Sequence, residues 1–129
     1  MKQKGVVNTS KSSARSTPLV YRALLTQSGT NAPVATVLEN TLGNVRYTHT
    51  DTGKFTATTP AVLSAAGSFG RVTLARDLES ELPIVKEASV LFVDSETLRI
   101  FTADTDVNAG TTSLANDILA SALFEIFVW

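Results

Sequence analysis

This 129-residue chain contains no cysteine, which excludes disulfides, thiolate metal sites and a cysteine nucleophile. Histidine, tryptophan and methionine occur once each, so histidine chemistry has a single candidate, His49. No apolar run approaches the roughly 20 residues that a membrane-crossing helix needs. After Lys2 and Lys4 only Gly5-Val6-Val7 is apolar before polar residues resume, so no signal peptide, synthesis in the cytoplasm and no membrane partner are expected. A phosphate-binding glycine loop is missing too. Gly67-Ser68-Phe69-Gly70 lacks the lysine and helix that would follow it. No cofactor is implied.

Acidic residues are absent from the first 38 positions, where Lys2, Lys4, Lys11, Arg15 and Arg22 give a formal charge of +5. The remaining positions hold six basic and all twelve acidic residues, a charge of −6. This asymmetry describes a basic arm on an acidic body. Residues 1–18, rich in Ser, Thr and Lys, bury too little apolar surface to offset their ordering entropy alone. Val6 and Val7 lie between cations, a pattern suited to an arm that orders on a partner. Three readings stay open: docking on an acidic protein surface through Lys2, Lys4, Val6, Val7, Lys11 and Arg15, nucleic-acid binding, or a tail with no role. Against nucleic acid, the arm has no aromatic residue to stack a base, and the body would repel a polyanion.

From Pro18 onward the pattern is that of β-strands. Leu19–Gln27 is β-prone and apolar on both faces, unsuited to an exposed edge. Ser28-Gly29-Thr30-Asn31 is a turn before Val34–Glu39, and Gly43 marks the next. Val45–Thr50 alternates Val45, Tyr47 and His49 against Arg46, Thr48 and Thr50, the period of a half-buried strand. Asp51-Thr52-Gly53 predicts a hairpin into Lys54–Thr59. Pro60–Ala66 reads as an irregular strand or one helical turn, Val72–Arg76 as a strand, and acidic Asp77–Glu87 as a loop or edge. Ala88–Val93 and Thr97–Ala103 flank the turn Asp94-Ser95-Glu96. Asp104–Ser113 is expected to be a loop and Leu114–Leu123 a helix capped by Asn116. The closing FEIFVW is a strand so apolar that Phe124, Ile126, Val128 and Trp129 must pack in the core or between subunits. The fold class is all-β: one antiparallel β-sandwich over residues 19–129, jelly-roll-like, behind a flexible arm.

Chemistry is sparse. His49 with Asp51 suggests a triad only in outline, since no nucleophile elbow is near and His49 shares a strand face with Val45 and Tyr47. Asp104, Asp106 and Asn108 begin like a calcium loop, but Ala109 stands where the turn glycine belongs and Ala115 where the bidentate glutamate belongs. Such short polar side chains equally bond their own backbone. Asp77, Glu79 and Glu81 alternate as paired carboxylates would, or as a solvated edge does. For stacking a sugar ring, Tyr21, Tyr47 and Trp129 are the polar-edged aromatics, and the two tyrosines lie in predicted strands.

Tyr21–Thr41, YRALLTQSGTNAPVATVLENT, resembles a segment of small structural virion proteins of tailed bacteriophages, notably those of Bacteroidetes hosts. The resemblance continues through Leu42-Gly43-Asn44 and Val45–Lys54, thins between Pro60 and Glu87, and returns at Asp94-Ser95-Glu96 and Phe124–Val128. It implies a non-enzymatic role in the virion as a head fibre, capsid decoration or small tail protein. It also implies self-association, by analogy with phage fibres as a homotrimer, and contact with capsid or tail components. The arm lies outside the resemblance.

Overall fold

The structure, a computed structural model, describes residues 17–74 and 84–129. Nine strands form within them: β1 Leu19–Thr26, β2 Val34–Asn40, β3 Arg46–Asp51, β4 Lys54–Thr58, β5 Ser68–Thr73, β6 Ile84–Asp94, β7 Thr97–Asp106, β8 Thr111–Leu114 and β9 Ala122–Val128. They make two antiparallel sheets packed face to face, the β-sandwich expected from the strand pattern. One sheet has the order β2-β1-β9-β5, and the other β3-β4-β7-β6 with β8 also pairing β7. Of the jelly-roll expectation, the two packed sheets are present. Sequence-adjacent strands β1–β2, β3–β4 and β6–β7–β8 stay within one sheet as hairpins.

Period-two alternation builds the core. Tyr21, Ala23 and Leu25 of β1, and Phe124, Ile126 and Val128 of β9, point inward against Phe55 and Ala57 of β4 and Leu98 and Ile100 of β7. β1 and β9 are the two central strands of their sheet, which is where chains this apolar must lie. Burying a side chain such as Phe124 contributes about 1.5–3 kcal/mol. Trp129 does not join the core of the single chain, which leaves packing between subunits as the other expected place for it. By the same alternation it falls opposite to Val128, and it is 47% exposed.

The interior also contains a polar bridge. The hydroxyls of Tyr21 and Tyr47, one from each sheet, lie 2.7 Å apart. Both rings stand edge-on to Phe124 at 6.2 Å between centroids, a favoured aromatic geometry.

Three local expectations are corrected. Leu114–Leu123 is not a helix: Leu114 closes β8, Ala122 opens β9, and the chain between turns through Asp117 and Ser121 at φ 65° and 50°. Left-handed residues interrupt a right-handed helix. Gln27 explains the turn. Its Oε1 accepts the Asp117 N–H and its backbone N–H donates to the Leu119 carbonyl, anchoring the segment to β1. Second, Asp104–Ser113 is mostly ladder: Asp104 pairs Ser113, Thr105 pairs Thr112 and Asp106 pairs Thr111. Third, the strand read as beginning at Val72 begins earlier, as β5 Ser68–Thr73, while residues 75 and 76 of that reading lie outside the described residues. Gly70 lies inside it, and a Cβ there would stand 3.0 Å from Val90 and 3.3 Å from Leu98, so the glycine admits the close approach of the opposing sheet.

Candidate functional site

The outer face of the first sheet holds the one chemically distinctive arrangement among the described residues. Between the inward side chains of β1 and β9, Arg22 and Glu125 point outward. Register places Glu39 of β2 opposite Arg22, Arg22 opposite Glu125, and Glu125 opposite Arg71 of β5. Across the four strands the charges therefore read minus, plus, minus, plus. Each neighbour is bonded to the next. Arg22 donates through Nη1 to Glu39 and through Nε to Glu125 Oε2 at 2.7 Å, and Arg71 Nε donates to Glu125 Oε1 at 2.7 Å.

Burial within the ladder is uneven. The Glu125 side chain is 4% exposed, whereas those of Arg22, Glu39 and Arg71 are 38%, 46% and 54% exposed. A carboxylate so covered persists as an anion only if paired. Hydrogen bonds from Arg22 first, then from Arg71, hold its carboxyl below the ordinary range against the desolvation that opposes them. Glu125 in turn is the main cause that raises the Arg22 guanidinium above its usual value. The Arg22 guanidinium also lies 5.4 Å from the centre of the Phe127 ring, within cation–π reach. Phe69, 52% exposed, sits beside Phe127 at 6.4 Å.

Sequence reasoning did not find this ladder, since it read Arg22 and Glu125 as parts of apolar strands. The signal was present in each: a lone charge in a strand too apolar for an edge requires a cross-strand partner. Which partner was not legible, because 103 residues separate the two.

The residues that were singled out disperse. His49 Nε2 lies 3.2 Å from Asn116 Oδ1, which also accepts the Gly53 N–H at 2.9 Å. With Oδ1 as acceptor, Nε2 carries the proton. The ring packs edge-on against Phe55 at 5.5 Å, so His49 serves as a brace between β3, β4 and the loop before β9. Asp51 Oδ1 accepts the Thr52 N–H in the hairpin turn. Asp106 Oδ1 accepts the Asn108 and Ala109 N–H groups, the self-capping turn that competes with calcium ligation. Asp104 Oδ1 is buried without a hydrogen-bond partner among the described residues, but no three His, Asp or Glu side chains gather there as a metal cluster. Tyr21 is buried and bonded to the half-buried Tyr47, so the Tyr21 ring offers no face to a sugar. Residues 1–16, with Lys2, Lys4, Val6, Val7, Lys11 and Arg15, and the acidic trio Asp77, Glu79 and Glu81, lie outside the described residues. Among the described residues no helix is long and apolar enough to cross a membrane.

Comparison with family models, with curated proteins and with solved structures finds no match for this chain.

Proposed function

We propose that this protein is a non-enzymatic structural component of a bacteriophage virion: a head fibre, capsid decoration or small tail protein. In this reading it assembles as a homotrimer, residues 1–18 grip capsid or tail components, and the β domain projects. The observation that carries the reading is the sequence resemblance to phage structural proteins. Two of its segments, Tyr21–Thr41 and Phe124–Val128, fall on β1, β2 and β9, which are neighbours in one sheet. Segments distant in the chain but adjacent in the fold act as one surface, and that surface bears the charge ladder. The basic arm, beside an acidic body, supplies charge complementary to an acidic protein surface.

The test is deletion of residues 1–18, with two readouts: far-UV circular dichroism with light scattering, and incorporation into particles. The expected result is a folded, self-associated domain that no longer joins the particle. Unchanged incorporation would defeat the anchoring role. A second reading, a carbohydrate- or host-receptor-binding module of a phage fibre, draws on the exposure of Phe69 and Trp129, 52% and 47%, since exposed aromatic faces stack sugar rings. Glycan-array binding abolished by F69A or W129A would favour it.

A further inference from the structure

The ladder ends on opposite charges at opposite edges of its sheet, Glu39 on β2 and Arg71 on β5. Among the described residues neither edge carries a further strand. β6 does come close to β5, but from beneath: the inward Cβ position of Gly70 is what meets Val90. Four antiparallel strands make the two edge strands antiparallel to each other. A copy placed beside another in the same orientation therefore brings β5 against β2 as an antiparallel pair.

At Glu39 and Arg71 themselves, on the Asn40 side of the bulge that Leu38 makes in β2, the hydrogen-bond phase fits as well. The Thr41 N–H donates to the Val20 carbonyl at 2.8 Å, and two residues along the same register Arg22–Glu39 is also a hydrogen-bonded pair. The Trp129 N–H donates to the Gly67 carbonyl at 2.7 Å, which puts Arg71–Glu125 in the same class. Glu39 and Arg71 thus turn their backbone groups inward. On their free sides both are in the non-hydrogen-bonded phase, where side chains stand closest. The Arg22–Glu125 pair inside the sheet has this phase already. The apolar exposure agrees: on β2, Val34, Val37 and Leu38 are 70%, 51% and 56% exposed, an edge of the kind that folded proteins cover or pair.

We infer that copies of this chain associate head to tail, β5 of one copy pairing with β2 of the next and Arg71 standing opposite the neighbour's Glu39, so that sheet and charge ladder run on across the boundary. The contact is heterologous, so it closes into a ring or grows open-ended. The inference rests on the self-association part of the proposed function, and a closed three-copy ring satisfies both.

Disulfide trapping tests it on the full chain, which has no cysteine of its own. Within one copy the two ladder ends are three strand spacings apart, roughly 14 Å, too far for a disulfide. Mixing E39C with R71C under oxidising conditions should yield a crosslinked heterodimer, with little crosslinking of either variant alone. Crosslinking of each variant to itself would overturn the head-to-tail arrangement in favour of a two-fold one. An oligomer by light scattering that gives no E39C–R71C product would overturn this interface while leaving the virion role and self-association intact. A monomer at all concentrations would overturn the interface and self-association together, whereas the virion role is judged by particle incorporation. L38K guards against misfolding of the cysteine variants, because Leu38 is already half exposed. It should convert the oligomer to monomer with an unchanged circular-dichroism spectrum, and an undisturbed oligomer would overturn the interface.

Discussion

The Tyr21 and Tyr47 hydroxyls bond across the interior at 2.7 Å, so the two sheets share a polar contact beside the apolar core cluster. Burial is the first cause that raises both phenols above their ordinary values, and both stay protonated across the physiological range. Tyr47→Phe strands the Tyr21 hydroxyl and is expected to cost about 1–2 kcal/mol in urea unfolding. The double change Y21F/Y47F should cost less than the sum of the singles. Additive effects would show that the bond contributes nothing.

Glu125 should govern part of the acid limb of stability. Its folded-state pKa is lowered, chiefly by Arg22. Its contribution is therefore complete above the ordinary carboxylate value of about 4.3 and is lost as pH falls through the lower folded value. Unfolding free energy measured against pH should show wild type more stable than E125Q at neutral pH, with the two curves converging on acidification. Parallel curves would show that the ladder carboxylate is not linked to folding.

Gly53 is constrained in two ways. It sits at φ 66°, and a Cβ there would lie 2.4 Å from the Thr102 carbonyl oxygen. Gly29, at φ 55°, has open space where its Cβ would be. G53A is expected to lose about 2 kcal/mol or more and G29A about 1 kcal/mol, the strain alone. Equal losses in chemical denaturation would mean that the close approach to β7 is relieved at no cost.

Asn116 holds two donors at once, the Gly53 N–H and the His49 ring. N116A leaves both without their acceptor and should cost about 1–2 kcal/mol. N116D, which keeps the acceptor, should recover most of it. Faster amide exchange at Gly53 in N116A would locate the effect.

Local patterning in the chain determined the strands. Alternation in Val45–Thr50, the Asp51-Thr52-Gly53 turn and the apolar density of FEIFVW specified β3, its hairpin and a buried β9, because side-chain direction along a strand depends only on neighbouring residues. Tertiary structure decided what composition could not. Leu114–Leu123 has helix-forming residues, yet Gln27, distant in sequence, captures the Asp117 amide and the Leu119 carbonyl and bends the segment into a loop. Asp104–Ser113 read as a loop until β8 paired with β7 across it. The charge ladder is the extreme case. Arg22 and Glu125 each announced that an unpaired charge was unaffordable in a central strand, but only the β1–β9 register, a contact across nearly the whole chain, supplied the partner.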